Sequence, residues 1–567
     1  MRLWVSAIVI VLLVVWMHAP LFDGGLLGAS GTDVFRAVWG FDHQARGLPL
    51  PFWTDRVGFP AGEKLVILPF ASAIFGAPLH LLFGAWAGYD AWMVALLAAG
   101  GVATAWWVGE VSRSPSAGLM AGVAMVVQPS VLLALTDGTP EHVAFWALPA
   151  TLAALWHTSR SPLARWPLLA GALATIVALD SPYHAIFAVP LVPVALWRCT
   201  WRGRLRFVGA AAVGVVLVAF LYYKLPLAGP LDNRWDNAAK LSVWYQWDMR
   251  RVKTAWDHTY TPAFIPIFSV VAAVGLALLR PTRAAIWFGL ALVCFVFALG
   301  ANADNTAFLG RWMGSTGTSI GDGIAWINEH LAPNAIRFPR RWLVPAALCL
   351  WTAAGIGLSR LPAEWMRLAV AALVCIGVTW LTLDRTGYRQ GFPELAVPTP
   401  AFAAFVRDSE VEGAAVILPT QVGASRKHER FELPIYASLD ESIRSADMPF
   451  IQVAIGRSVV NAPQGLFTMV ARRPQSERIT RFLQDLNDLC TPQTTGTAIA
   501  PSALQEPANR VAVANELVAR GLRFVVLDEA VYGAEGLSYA RLPFADHLAE
   551  ERHFDDGTGV TVFVLKP

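Results

Sequence analysis

Apolar positions in this chain come in long unbroken runs and not at the intervals of an amphipathic helix or strand. Runs near 3–20, 89–108, 117–135, 143–158, 167–180, 184–198, 207–223, 262–279, 284–299, 342–359 and 368–384 approach the roughly 20 apolar residues that cross a bilayer. The pattern therefore predicts about eleven membrane-spanning helices. The run 66–84 is also long enough, but Pro69, Pro78 and His80 interrupt it. The two short runs on either side of 180–184 can equally be one broken helix pair. Beyond residue 385 the pattern changes. GAAVILP, GLRFVVLDEA and VTVFVL are short β-branched runs, while SERITRFLQDLNDL and ANRVAVANELVARG show three- and four-residue apolar spacing. Strands alternating with helices predict a small α/β domain, with Gly521 stopping the second helix ahead of the strand RFVVL.

Loop charge orients the spans, because short cytoplasmic loops collect Lys and Arg. With 66–84 lying along the outer surface, one frame places Arg2, Arg113, Arg160, Arg165, Arg198, Arg202, Arg204, Arg206, Arg280, Arg283, Arg360 and Arg367 inside. The loops 21–88, 136–142, 224–261 and 300–341 then face out. If 66–84 crosses instead, the basic cluster RCTWRGRLR faces outward, against the rule. The expectation is an integral protein of a bacterial inner membrane, with its N-terminus cytoplasmic and its C-terminal domain extracytoplasmic. The start, Arg2 and then apolar 3–15, has the look of a signal peptide. Ala19 precedes Pro20, however, and 27–29 lacks a small first residue, so it reads as an uncleaved span.

Composition agrees: 55% of residues are hydrophobic and 15% charged, mean hydropathy is +0.48, and a water-soluble globule is excluded. The net charge of +3 hides an asymmetry, with 26 basic and 19 acidic residues in 1–384 against 18 and 22 in 385–567. The expected domains are thus a membrane region, 1–384, and a soluble domain, 385–567. The five cysteines form no disulfide or thiolate-metal framework, no GxSxG, HExxH or phosphate-binding glycine loop is present in the tail, and no nucleic-acid partner is expected.

The spans carry almost no charge, whereas an ion-coupled transporter advertises ionisable residues near mid-membrane. The acids sit at outer helix ends instead. In GTDVFRAVWGFDHQARG, Asp33 is placed to act as a general base on an acceptor hydroxyl, although Ser30 to Asp33 also fits a capping box. In TDGTPEHV, Thr139 and Pro140 read as cap and first helical residue, which accounts for Glu141 in the first turn. Asp137, Glu141 and His142 together are candidate ligands for a divalent cation such as Mg or Mn. Ser181-Pro182 repeats the cap pattern, leaving Asp180 and His184 as substrate-binding or structural residues. In IRFPRRW, Arg337, Arg340 and Arg341 lie before a span on the face that should be poor in basic residues. They read as a clamp for a lipid phosphate or as snorkelling side chains beside Trp342. WYQWDMRRVKTAWDH, with Trp244, Trp247 and Trp256, reads as an interfacial belt.

A first span, a long outer loop with the early acid Asp33, the segment FWTDRVGFPAGEKLVILPF, and then AGLMAGVAMVVQPSVLLALTDGTPEHVAFW follow one another in order. Over roughly residues 1–200 this arrangement resembles the C-type (GT-C) superfamily of integral-membrane glycosyltransferases. The resemblance implies a polyprenyl-phosphate-linked sugar as donor and a glycan, lipid or protein hydroxyl as acceptor. It implies that Asp33 occupies the catalytic or metal-binding position and that Asp137 with Glu141 forms the acidic pair after the third span. The early acid stands alone and not as a pair, which leaves metal dependence open, and the absence of WWDYG disfavours peptide-asparagine glycosylation. The alternatives are a lipid or polysaccharide transporter, or a non-catalytic assembly subunit whose tail binds partners.

Overall fold

The computed structural model describes residues 3–28, 34–46, 53–54, 59, 63–67, 69–161, 163–222, 266–300, 303–331, 339–385, 394–395, 400–418, 452–460, 468–472, 477–488, 507–555 and 559–567. The chain is an integral membrane protein, mostly helical, with a small mixed sheet near its C-terminus. Described segments before residue 29 and between 68 and 394 form one compact unit. Those of 30–67 and 395–567 form another. The segment 30–67 thus groups with the C-terminal residues and not with the helices that precede and follow it.

Helix α1 (Leu3–Met17) is followed by α2 (Val34–Arg46), which belongs to the second unit. The first unit continues with α3 (Ala73–Ser112), α4 (Pro115–Val126), α5 (Pro129–Thr136), α6 (Pro140–Val143) and α7 (Ala147–Thr158). After these come α8 (Arg165–Asp180), α9 (Pro182–Trp197) and α10 (Trp201–Tyr222), and then Ile267–Ala277, Pro281–Leu299, Ala303–Leu331, Leu343–Leu358 and Glu364–Arg385.

Proline decides where many of these helices start. Pro115, Pro129, Pro140, Pro182 and Pro281 each stand in the first turn of a helix, where the missing N–H costs nothing and the fixed φ suits the helix. The run expected as one span over 117–135 is therefore two helices, α4 and α5, bent by 44°. The runs around 180–184 are likewise two helices broken at Ser181. As a result the eleven hydropathy runs do not each become one full-length helix. Among the described residues four helices are long and apolar enough to cross a membrane, or five with the bent pair, while Leu3–Met17, Pro182–Trp197 and Ile267–Ala277 are apolar but shorter.

Glycine sets the other constraint. Gly84, at φ +77°, breaks α3 into an arm with exposed Ile74, Phe75, Leu81, Leu82 and Phe83 and a long helix whose next turns bury Tyr89, Trp92 and Met93. This separates 66–84 from the span that follows it. Where α3 and α4 meet, a Cβ at Gly118 would lie 2.4 Å from the Ala105 carbonyl oxygen and one at Gly122 would lie 2.6 Å from that of Gly101. The two backbones touch, as small residues at four-residue spacing allow between membrane helices.

In the second unit the three expected strands are present. Ala414–Leu418 pairs parallel with Leu522–Asp528, which pairs antiparallel with Val560–Leu565. The expected helices are there too, at Glu477–Asp488 and Pro507–Ala519, and Gly521, at φ +108°, ends the second. A fourth strand, Leu548–Phe554, closes the sheet beside Val560–Leu565. A three-stranded antiparallel sheet joins Trp53–Thr54, Glu63–Ile67 and Thr468–Arg472.

The α3–α4 contact leaves no room for even a methyl group, so Gly118→Ala should cost about 1–3 kcal/mol through overpacking, and Gly118→Val more. Thermal melts in detergent should show this, with Gly209→Ala, which meets nothing within 4 Å, as the unaffected control. Equal melting of the two alanine variants would contradict the close approach.

Candidate active site

Three proline-marked turns of the first unit converge on one set of side chains. In the first, α5 ends at Asp137, Gly138 turns the chain at φ +67°, and the Thr139 N–H and hydroxyl both donate to the Ala134 carbonyl, each at 3.0 Å. Pro140 then opens α6, as expected, and Glu141 and His142 point into buried space. Thr139 thus closes the turn backward and makes no forward cap. In the second turn the Ser181 hydroxyl accepts from the His184 N–H at 3.4 Å, a true N-cap, which sets Tyr183 and His184 in the first turn of α9. The third is the 3-10 turn Pro339–Trp342, which presents Arg340 and Arg341 at the head of Leu343–Leu358.

Arg340 Nη2 lies 3.3 Å from Asp137 Oδ2, with the two side chains 16% and 21% exposed, so this pair forms the wetter edge. Deeper in, the His142 ring stands edge-on to Tyr183 at 5.2 Å and to His184 at 6.0 Å. His142 Nε2 is 3.3 Å from Glu141 Oε1 but not in line for a hydrogen bond. The Arg341 guanidinium lies over the Tyr183 ring at 4.3 Å, a cation–π contact. Phe187 and Phe297 pack on Trp342 at 4.8 and 4.9 Å and hold the arginine turn in place. Burial, together with the positive charge of Arg341, pushes the His142 imidazole well below its ordinary pKa. It is a neutral hydrogen-bonding group here and not a cation.

Asp180, close to His184 in the sequence, has separate company. Its carboxylate accepts the Ser72 N–H at 2.8 Å and the Ser72 hydroxyl. Ser72 also accepts Trp146 Nε1 on its hydroxyl at 2.8 Å and Trp92 Nε1 on its carbonyl at 3.1 Å. The Phe70 N–H donates to the Leu179 carbonyl at 3.2 Å. Asp180 thus ties the end of α8 to the start of α3.

Of the residues expected from the sequence, then, Asp137, Glu141, His142, His184, Arg340 and Arg341 come together, and Asp180 does not join them. Asp33 and Arg337 lie outside the described residues, as does the segment WYQWDMRRVKTAWDH. Among the described residues no three His, Cys, Asp or Glu side chains converge to hold a metal ion. Asp137, Glu141 and His142 do not form a ligand set by themselves, since Asp137 faces Arg340 while Glu141 faces His142. Tyr183 was not singled out by sequence reasoning. Its signal was its place in the first turn after the Ser181-Pro182 cap, beside His184.

The chain is similar over its whole length to solved membrane glycosyltransferases. For the oligosaccharyltransferase of Archaeoglobus fulgidus the identity is 11% over 100% of this chain and 74% of that one, with a TM-score of 0.43. For ArnT from Cupriavidus metallidurans it is 12% over 99% and 97%, at 0.45. For the arabinofuranosyltransferase AftD from Mycobacteria it is 15% over 100% and 41%, at 0.49, so the chain spans less than half of that protein. All three fall in the C-type superfamily that the N-terminal pattern resembles. No protein-family model and no curated protein matches by sequence.

The geometry separates two acids by role. Asp180→Asn should lower stability by about 1–3 kcal/mol, because one of the two carboxylate oxygens that accept from the Ser72 N–H and hydroxyl is replaced by a donor. Asp137→Asn, at the wetter edge, should leave melting within about 0.5 kcal/mol of the parent. Equal loss in both variants, measured by melting in detergent, would contradict this division.

Proposed function

We propose that the chain is an integral-membrane glycosyltransferase that moves a sugar from a polyprenyl-phosphate-linked donor to an acceptor hydroxyl at the outer face of a bacterial inner membrane. The observation that carries this reading is the meeting of Arg340 and Arg341 with Asp137 and Glu141 at helix ends, beside two buried histidines. Such a constellation suits a reaction whose main electrostatic task is an anionic leaving group at the membrane edge. In the proposed step the acceptor oxygen bonds to the anomeric carbon, the bond from that carbon to the phosphate oxygen breaks, and its electron pair leaves with the lipid phosphate. The acceptor proton passes to a carboxylate, for which Asp33 remains the candidate base.

Arginine suits the phosphate because its planar fork matches two oxygens at once. Asp137 holds Arg340 in place until the singly charged phosphodiester of the donor competes for it, and the second negative charge develops on that phosphate as the sugar bond breaks. Arg341 lies over the Tyr183 ring, a contact that limits where its guanidinium can go. The buried imidazoles of His142 and His184 are suited to hydrogen-bonding sugar hydroxyls. No step is assigned to a metal ion. The archaeal oligosaccharyltransferase has been solved with a dolichol-phosphate and ArnT with undecaprenyl phosphate, ligands of the class proposed here. The transporter alternative would draw on Asp180, whose carboxylate is engaged by Ser72.

Donor use should fall from arginine to lysine to alanine at Arg340 and at Arg341. Loss of one charge-assisted contact of ~1.5–3 kcal/mol corresponds to roughly a 10- to 150-fold drop in kcat/KM. A response within a few-fold at both positions, measured with a polyprenyl-phosphate sugar, would remove the clamp. Asp33→Asn should abolish transfer in a folded protein, and normal turnover would return Asp33 to a structural role.

Sidedness is tested with single cysteines in a cysteine-free background. Ser409→Cys should react with an impermeant maleimide from outside and Arg202→Cys only from inside. Reaction of both from the same side would overturn the topology.

A further inference from the structure

At the other end of α7 from Asp137 and Glu141 lies a second, independent cluster. The guanidinium carbons of Arg160 and Arg198 lie 5.2 and 4.7 Å from the ring centroid of Trp156. Arg160 feels the positive charges of Arg113 and Arg198. Facing Arg160 is Glu110, whose Oε2 is 3.1 Å from its Nη1 and whose carbonyl accepts from its Nη2 at 3.0 Å. Glu110 also lies 3.4 Å from His157 Nε2, so a single carboxylate stands among the arginines of this end. Holding arginines together on one indole ring works against their mutual repulsion, and a shared anion relieves it.

Two further observations say what that anion is attached to. Trp197 and Trp201 flank Arg198 in sequence and are 80% and 69% exposed, the placement of side chains that sit at the headgroup level of a bilayer. The chain leaving α9 also continues with Arg202, Arg204 and Arg206, extending the charge along the same end. A free anion in solution needs no indole belt beside it. Basic pockets between membrane helices take the headgroups of anionic lipids.

The geometry points to a structural binding site for the phosphodiester headgroup of an anionic phospholipid, gripped by Arg160 and Arg198 on Trp156 and steered by Arg113. The site is separate from the proposed donor site and binds without chemistry. Glu110 is its competing internal anion, holding Arg160 when the lipid is away.

Native mass spectrometry of the full-length protein, released from detergent after titration with phosphatidylglycerol, tests this. Phosphatidylcholine and inorganic phosphate are the comparison probes. Phosphatidylglycerol should bind in preference to phosphatidylcholine, and inorganic phosphate at equal concentration should not displace it. At about a five-fold loss per arginine, Arg160→Gln with Arg198→Gln should weaken binding roughly 30-fold. Glu110→Gln should strengthen it, the reverse of what loss of a purely structural ion pair would do. If the double variant does not fold, Arg198→Gln alone, at an exposed position, carries the test. Equal binding of the two phospholipids, an unchanged affinity in the arginine variants, or displacement by inorganic phosphate would overturn the proposal.

Discussion

A buried carboxylate governs how the candidate site is assembled. Asp180 is fully enclosed and accepts both the N–H and the hydroxyl of Ser72, and Ser72 in turn receives the indole N–H groups of Trp92 and Trp146. An enclosed carboxylate is tolerated only when its acceptors are filled. The chain around it is therefore held in one arrangement: 69–72 against the end of α8, α3 starting where it does, and the approach to α7 pinned by Trp146. The residue after Asp180 is Ser181, the cap of α9. Fixing Asp180 fixes Ser181, and with it the Tyr183 and His184 side chains that meet His142 and Arg341. The Asp180 carboxylate, expected as a substrate-binding or structural group, is engaged by Ser72 and stands one residue before the cap of α9.

The same logic explains why the helices are short. In a lipid-facing region every backbone polar group needs an internal partner, and helix breaks are tolerated only where protein supplies one. Breaks occur at Gln128-Pro129, Gly138 to Pro140 and Ser181-Pro182, and in the second Thr139 returns its N–H and hydroxyl to the preceding helix. In the third the Ser181 side chain satisfies a first-turn N–H of α9. These breaks bring polar side chains to helix ends without leaving the helices open. The touching backbones of α3 and α4 supply the rigid wall from which α5 departs.

The sequence made some of this legible, for physical reasons that can be named. Inner strands such as Val560–Leu565, buried at every position, announce themselves as apolar β-branched runs. The edge strand Leu548–Phe554 does not, because it carries Glu550, Glu551, Arg552 and His553, the charges that protect an edge from further pairing. The cap at Ser181 and the helix start at Pro140 were legible, since both are local, whereas the cap expected at Thr139 is not made. The partnership of Asp180 with Ser72, 108 residues away, leaves no local trace, and neither does the stacking of Arg341 on Tyr183. Hydropathy found the apolar runs but not the break at Pro129 inside 117–135, because a window average passes over a single proline.

The two ends of the helical unit handle arginine differently, and the difference follows from what each end must do. At the Asp137 end Arg340 is matched by a carboxylate and Arg341 is held on an aromatic ring with Glu141 close enough to act on its charge. In the proposed reaction an arginine balanced in this way would bind the donor phosphate by exchange, giving up one anion for another, and the waiting carboxylate would help the product leave. Strong unopposed attraction would stabilise bound donor and bound product alike and add nothing to turnover. At the other end Arg160 pairs with Glu110 while feeling the charges of Arg113 and Arg198, and Arg280 feels those of Arg283, Arg360 and Arg367. Excess positive charge there suits a partner that stays, such as the headgroup layer of a membrane. Matched charge where a ligand must come and go, and unmatched charge where the protein is anchored, is a division that one helical bundle can maintain because its two ends are separated by the low-dielectric length of its helices.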